Sequence, residues 1–207
     1  MVNALYDLEY EIPHKDSLVG YVKWDDMRNA IYDFFSEETK PQDTLLMYFS
    51  GHGVLDIDGD VYLATSETEA FWPSKRGFNF NELTKLMKQN SSTRIVIILD
   101  CCYSGSAKIS KGHEDDAAKL GASSIDKGSE KLRGEGKCIL AASQAQQEAY
   151  SLEEQNHSLF TYYLLQALRG EHTEAVDNEG YLTVDSLSIF MIQLCLYPQP
   201  KDLNKNQ

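Results

Sequence analysis

Residues 94–105 read Arg-Ile-Val-Ile-Ile-Leu-Asp-Cys-Cys-Tyr-Ser-Gly, and residues 44–53 read Thr-Leu-Leu-Met-Tyr-Phe-Ser-Gly-His-Gly. Arg94 to Leu99 is uncharged after Arg94, rich in β-branched residues and too short for a stable helix, so it predicts a buried strand. Thr44 to Phe49 predicts a second. Each run gives way at once to glycine and polar residues, so the strands are expected to stop at Leu99 and Phe49. Ser50-Gly51-His52-Gly53 and Asp100-Cys101-Cys102 would then be the loops that follow. Continuous rather than alternating apolar residues mark strands covered on both faces, the usual state of a parallel sheet.

Outward from these strands, Trp24, Met27, Ile31, Phe34 and Phe35 fall on one stripe and predict a helix from Trp24 to Phe35. Val61 to Ala64 predicts a short strand after an Asp/Gly turn. Asn79 followed by Glu82 reads as a capping box opening a helix through Leu83, Leu86 and Met87. Lys137 to Ala142 predicts another strand. Ser158 to Arg169 predicts a helix with Gly170 as its stop. Thr183 would cap a last helix carrying Leu187, Phe190, Met191 and Leu194, closed by Pro198 and Pro200. Ala4 to Ile12 is expected to be extended. Ser104 to Gly136 has no periodic pattern and predicts a long loop. Strands alternating with helices give an α/β class, a three-layer sandwich with a mainly parallel sheet flanked by helices.

The chain has 207 residues, with 19 Lys+Arg against 32 Asp+Glu and a formal charge of −13. That balance repels phosphate backbones and argues against nucleic-acid binding. No apolar run approaches the roughly 20 residues of a membrane span, so no membrane partner is expected. Asp7, Glu9 and Glu11 interrupt any secretory signal among the first 20 residues. The four cysteines, Cys101, Cys102, Cys138 and Cys195, form no C-x-x-C pair, and a reducing cytoplasm is the expected setting.

In open parallel α/β sheets, sites form at the carboxyl ends of strands. If the two strong strands are neighbours, His52 and Cys102 emerge on one edge despite lying 50 positions apart. A thiol beside an imidazole makes a nucleophile–base pair. Gly53 and Cys102 can offer backbone N–H groups to an oxyanion, and Gly51 and Gly105 would permit tight turns. A cysteine after a strand is ordinarily a small buried hydrophobe. Cys101, one residue away, is expected to be that residue, facing the core. His113, His157 and His172 lack the glycine flanks and the preceding strand.

These segments, Tyr48-Phe-Ser-Gly-His-Gly53 and Asp100-Cys-Cys-Tyr-Ser-Gly105, resemble the caspase-like cysteine peptidases, closest to the metacaspase and prokaryotic orthocaspase branch. In caspases the histidine precedes the cysteine by about 50 residues. The resemblance runs from Trp24 to Met191, taking in Leu140 to Ser143 and the helix from Phe160 to Gly170. It implies that His52 and Cys102 are the catalytic pair and that Gly53 and Cys102 form the oxyanion hole. It further implies that Ser50, Asp100 and Ser143 bind substrate, with an acidic pocket favouring Arg or Lys before the scissile bond. It gives one domain over 1–207: a large-subunit-like part (1–103), a linker (104–136), a small-subunit-like part (137–197) and a tail (198–207). Lys127, Lys131 and Arg133 in the linker are either self-cleavage sites or ordinary surface cations.

The implied activity is endopeptidase hydrolysis of peptide or protein substrates, with no cofactor required. The family's first strand–helix unit has no counterpart here, which leaves a second reading, a non-catalytic interaction or regulatory module. Tyr103 stands where a His is often found, and Ala145 and Gln146 replace an acidic pair. Calcium activates many metacaspases, and Asp56, Asp58 and Asp60 would attract it. The order D-I-D-G-D does not fit an EF-hand, however, and neither does the stretch from Asp177. Both read better as turn acids, no zinc set has usable spacing, and no metal site is expected.

Overall fold

The computed structural model describes residues 1–12, 17–36, 38–105, 123, 136–142 and 158–196. The chain divides into two compact units, Met1–Ile12 with Ala149–Gln207, and Pro13–Glu148. The second contains the sheet. Its elements are α2 (Trp24–Phe34), β1 (Thr44–Leu55), β2 (Val61–Ala64), β3 (Gly77–Asn79), α3 (Phe80–Gln89), β4 (Arg94–Gly105) and β5 (Lys137–Ala141). The first contains α1 (Val2–Asp7), α4 (Leu159–Leu168) and α5 (Val184–Leu196).

The five strands lie in the order β3-β2-β1-β4-β5. β1 and β4 pair in parallel along their whole length, from Thr44 beside Arg94 to Leu55 beside Gly105, and β5 extends the parallel part beside β4. β2 and β3 add two short antiparallel pairings. The sheet is therefore mixed: its long ladders are parallel, as the apolar runs predicted, and its antiparallel edge is a hairpin. Among the described residues no strand precedes Thr44. On the edge away from β4, β1 pairs through Gly53–Leu55 alone among those residues.

Alternation along the strands sorts the two faces. Odd positions of β4 (Ile95, Ile97, Leu99, Cys101) are buried to 3 % exposure or less and join the core. Leu45, Met47, Phe49 and Leu55 of β1 face the same way. Met27 and Ile31 from α2 and Phe80, Leu83 and Met87 from α3 close this core. Each such side chain contributes roughly 1.5–3 kcal/mol by leaving water. No helix among the described residues is long and apolar enough to cross a membrane.

Several expectations change. Ala4 to Asp7 lie in a helix, Val2–Asp7, where extended chain was expected, and Ala4 and Leu5 are buried. Most consequentially, β1 and β4 do not stop at Phe49 and Leu99; each runs six residues further. Glycine and polar residues weaken a strand in isolation, but here each extension is the other's ladder partner, and tertiary pairing overrides local preference. Gly51 is not at a tight turn either. It is an extended strand position, and the Phe49 ring lies 2.9 Å from where a Cβ would stand. Gly105 likewise ends β4. The short strand β3 and the 3-10 turns at Pro73–Lys75 and Thr173–Ala175 were not anticipated.

Candidate active site

Two apolar runs distant in the chain meet because the parallel ladder aligns them position by position. His52 of β1 is the register partner of Cys102 of β4. Neighbouring strands stand about 4.8 Å apart, so residues 50 positions apart in the chain are brought side by side. The two are in the strands near their carboxyl ends rather than in loops beyond them. His52 is exposed. Cys101 faces the other way, 3 % exposed within the core cluster, as expected of the small hydrophobe of the pair.

The face opposite that core carries the even positions. Ser50 is the register partner of Asp100, and Tyr48 that of Ile98. Asp100 is 8 % exposed, and a carboxylate this buried needs hydrogen-bond donors. Two hydroxyls on β1 converge on its Oδ2: the Tyr48 hydroxyl donates at 3.4 Å and the Ser50 Oγ at 3.5 Å. Both distances lie beyond the usual O–H···O range of about 2.5–3.0 Å, so each contact is weak singly. Tyr48, Ser50 and His52 follow one another at every second residue of β1, one face of the strand.

Gly53 sits between two strands, beside Tyr103 of β4 and opposite Leu63 of β2. Ser143, Lys127, Lys131 and Arg133, with His113 and His157, lie outside the described residues. His172 belongs to the other unit. Its Nε2 meets Gln166 Oε1 at 3.1 Å, its Nδ1 lies 3.6 Å from Glu174 Oε2, and its ring lies tilted against that of Phe190.

The acidic turns are structural devices of one design. Asp56 Oδ1 accepts from the N–H groups of Asp58 and Asp60, each at 2.9 Å. Asp177 Oδ1 accepts in the same way from Glu179 at 3.0 Å and Tyr181 at 2.9 Å. Each turn is completed by a glycine in the left-handed region, Gly59 at φ +84° and Gly180 at φ +86°. Among the described residues no three His, Cys, Asp or Glu side chains gather as a metal site.

Tyr48 was not among the candidate residues, although it opens the segment Tyr48–Gly53. An aromatic residue inside an apolar run reads as core, and only its even position, shared with Ser50 and His52, could have placed it on the site's face.

A family model described as Caspase domain matches residues 1–194. Among curated proteins none matches the chain.

Proposed function

Since the chain belongs to the caspase-domain family, a family of cysteine peptidases acting on protein or peptide substrates, we propose that it is an endopeptidase working through Cys102 and His52. The observation that carries this reading is the direct register of those two positions across the β1–β4 ladder.

The imidazole of His52 takes the Cys102 proton, and the thiolate attacks the substrate carbonyl. The backbone N–H groups of Gly53 and Cys102 are assigned to the resulting oxyanion. The C–N bond then breaks, and the leaving amine takes the proton from the imidazolium. Water attacks the acyl–sulfur bond with His52 as base, releasing the acid and returning the thiol. Every atom and proton balances without a cofactor.

Asp100 is assigned to the cation of an Arg or Lys before the scissile bond, supported by its buried carboxylate on the face of β4 beside Ser50.

The test compares Cys102→Ala with Cys101→Ala on peptides ending in Arg or Lys before a fluorogenic leaving group. Cys102→Ala is expected to lower kcat roughly 10⁴-fold or more. Cys101→Ala is expected to stay within about tenfold and to lower stability by about 1 kcal/mol. The reverse pattern overturns the assignment.

A further inference from the structure

We infer that Tyr48 is a positioning residue that orients Asp100 so that the site selects arginine over lysine, an inference that rests on the cysteine-peptidase reading above.

The two hydroxyls on Asp100 Oδ2 differ in kind. Ser50 is exposed, whereas Tyr48 is half-buried and stands diagonally from Asp100, one pair of positions earlier in the ladder. An aromatic side chain can span such a diagonal, and the Tyr48 hydroxyl does so, reaching Oδ2 at 3.4 Å. A tyrosine has two rotatable side-chain bonds before its ring, so a packed ring delivers its hydroxyl to a fixed point. Water competes for the Ser50 hydroxyl far more. Of these two hydroxyls, that of Tyr48 is the more firmly held and the better placed to bear on the plane of the carboxylate.

That plane matters unequally to the two cations. A guanidinium binds a carboxylate through two parallel N–H···O bonds and needs the plane set in advance. An ammonium is a compact point charge and is nearly indifferent to it. A tilted carboxylate thus loses arginine affinity and keeps most of its lysine affinity. General loss of packing would lower both together.

The experiment uses two peptides identical except for Arg or Lys before the scissile bond, with the wild type, Tyr48→Phe, Asp100→Asn and the double variant. The wild type is expected to favour Arg. Tyr48→Phe is expected to lower the Arg:Lys ratio of kcat/KM about three- to tenfold, mainly through the KM for Arg, as for a weak hydrogen bond to a charged group. In the Asp100→Asn background the same change is expected to leave the ratio where it was, because the oriented group has already gone. An unchanged ratio in Tyr48→Phe overturns the proposal. So does an equal fall for both peptides, a further fall in the Asn background, or a variant that no longer folds, since each assigns the hydroxyl a merely structural role. A wild type that turns over neither peptide overturns the peptidase reading itself, which the other outcomes leave standing.

Discussion

Gly136 stands at φ +69°, and a Cβ there would press on the carbonyl oxygen of Thr93. Its own carbonyl accepts the Ile95 N–H at 3.3 Å, so it opens the β4–β5 ladder. Gly170 and Gly180 share the left-handed backbone but have open space around the missing Cβ. Gly170→Ala and Gly180→Ala should each cost about 1 kcal/mol for the backbone alone. Gly136→Ala should cost about 3 kcal/mol or more, because backbone rather than a side-chain tip must move. Urea midpoints at unchanged slope measure this; equal losses at all three positions would contradict it. Tyr62 sets a second residue-level expectation. Its phenol is held above the usual value of about 10, chiefly by burial, with the charges of Asp56 and Asp60 adding and the Asn79 hydrogen bond opposing. The folded chain then keeps a proton that the unfolded chain has lost. The associated stability is complete below about pH 10 and disappears as pH rises through the folded value. Tyr62→Phe is expected to flatten the alkaline fall in Tm; a variant with the wild-type profile would contradict the assignment. His52 and Cys102 stand out as candidates because glycine flanks and apolar runs single them out, whereas Tyr48 is marked only by opening the segment that leads to His52.

At the scale of elements, side-chain caps were the most readable feature. Asn79 accepts from the N–H groups of Asn81 at 2.7 Å and Glu82 at 3.3 Å, and Ser158 accepts from Thr161 at 3.0 Å. Thr183 and Ser186 cap each other at the start of α5: Thr183 Oγ1 accepts from the Ser186 N–H at 3.1 Å, and Ser186 Oγ accepts from the Thr183 N–H at 3.0 Å. Thr183→Ala and Ser186→Ala should each cost about 1 kcal/mol, and the double variant less than their sum, because the second change removes a bond already weakened. Strict additivity in thermal or urea unfolding would contradict a reciprocal cap. Caps are readable because their chemistry is local. The ends of β1 and β4 were not, because Ser50 to Leu55 and Asp100 to Gly105 are strand only by virtue of each other. The Asp-rich turns resembled cation loops for a related reason: an Asp followed by a Gly three residues later satisfies a tight turn and a metal loop alike. The hydrogen bonds at Asp56 and Asp177 account for both as turns.

At the scale of the molecule, the parallel ladder of the unit Pro13–Glu148 carries the candidate pair. Alternation gives β4 two adjacent cysteine positions with opposite fates, Cys101 in the core and Cys102 beside His52. The α/β class, the family and the paired positions could be read from two short segments. The mixed sheet could not, because three-residue β3 is too short to leave a pattern and is defined by its pairing with β2. The central claim is that Cys102 is the activated thiol. Its most direct measurement treats the folded wild type with an electrophilic ketone built on an arginine-ended peptide and maps the adduct by peptide mass spectrometry. The account predicts one adduct, on Cys102, formed much more slowly in His52→Ala. An adduct on Cys101 or Cys138 instead, or labelling of Cys102 at the same rate without His52, would contradict it.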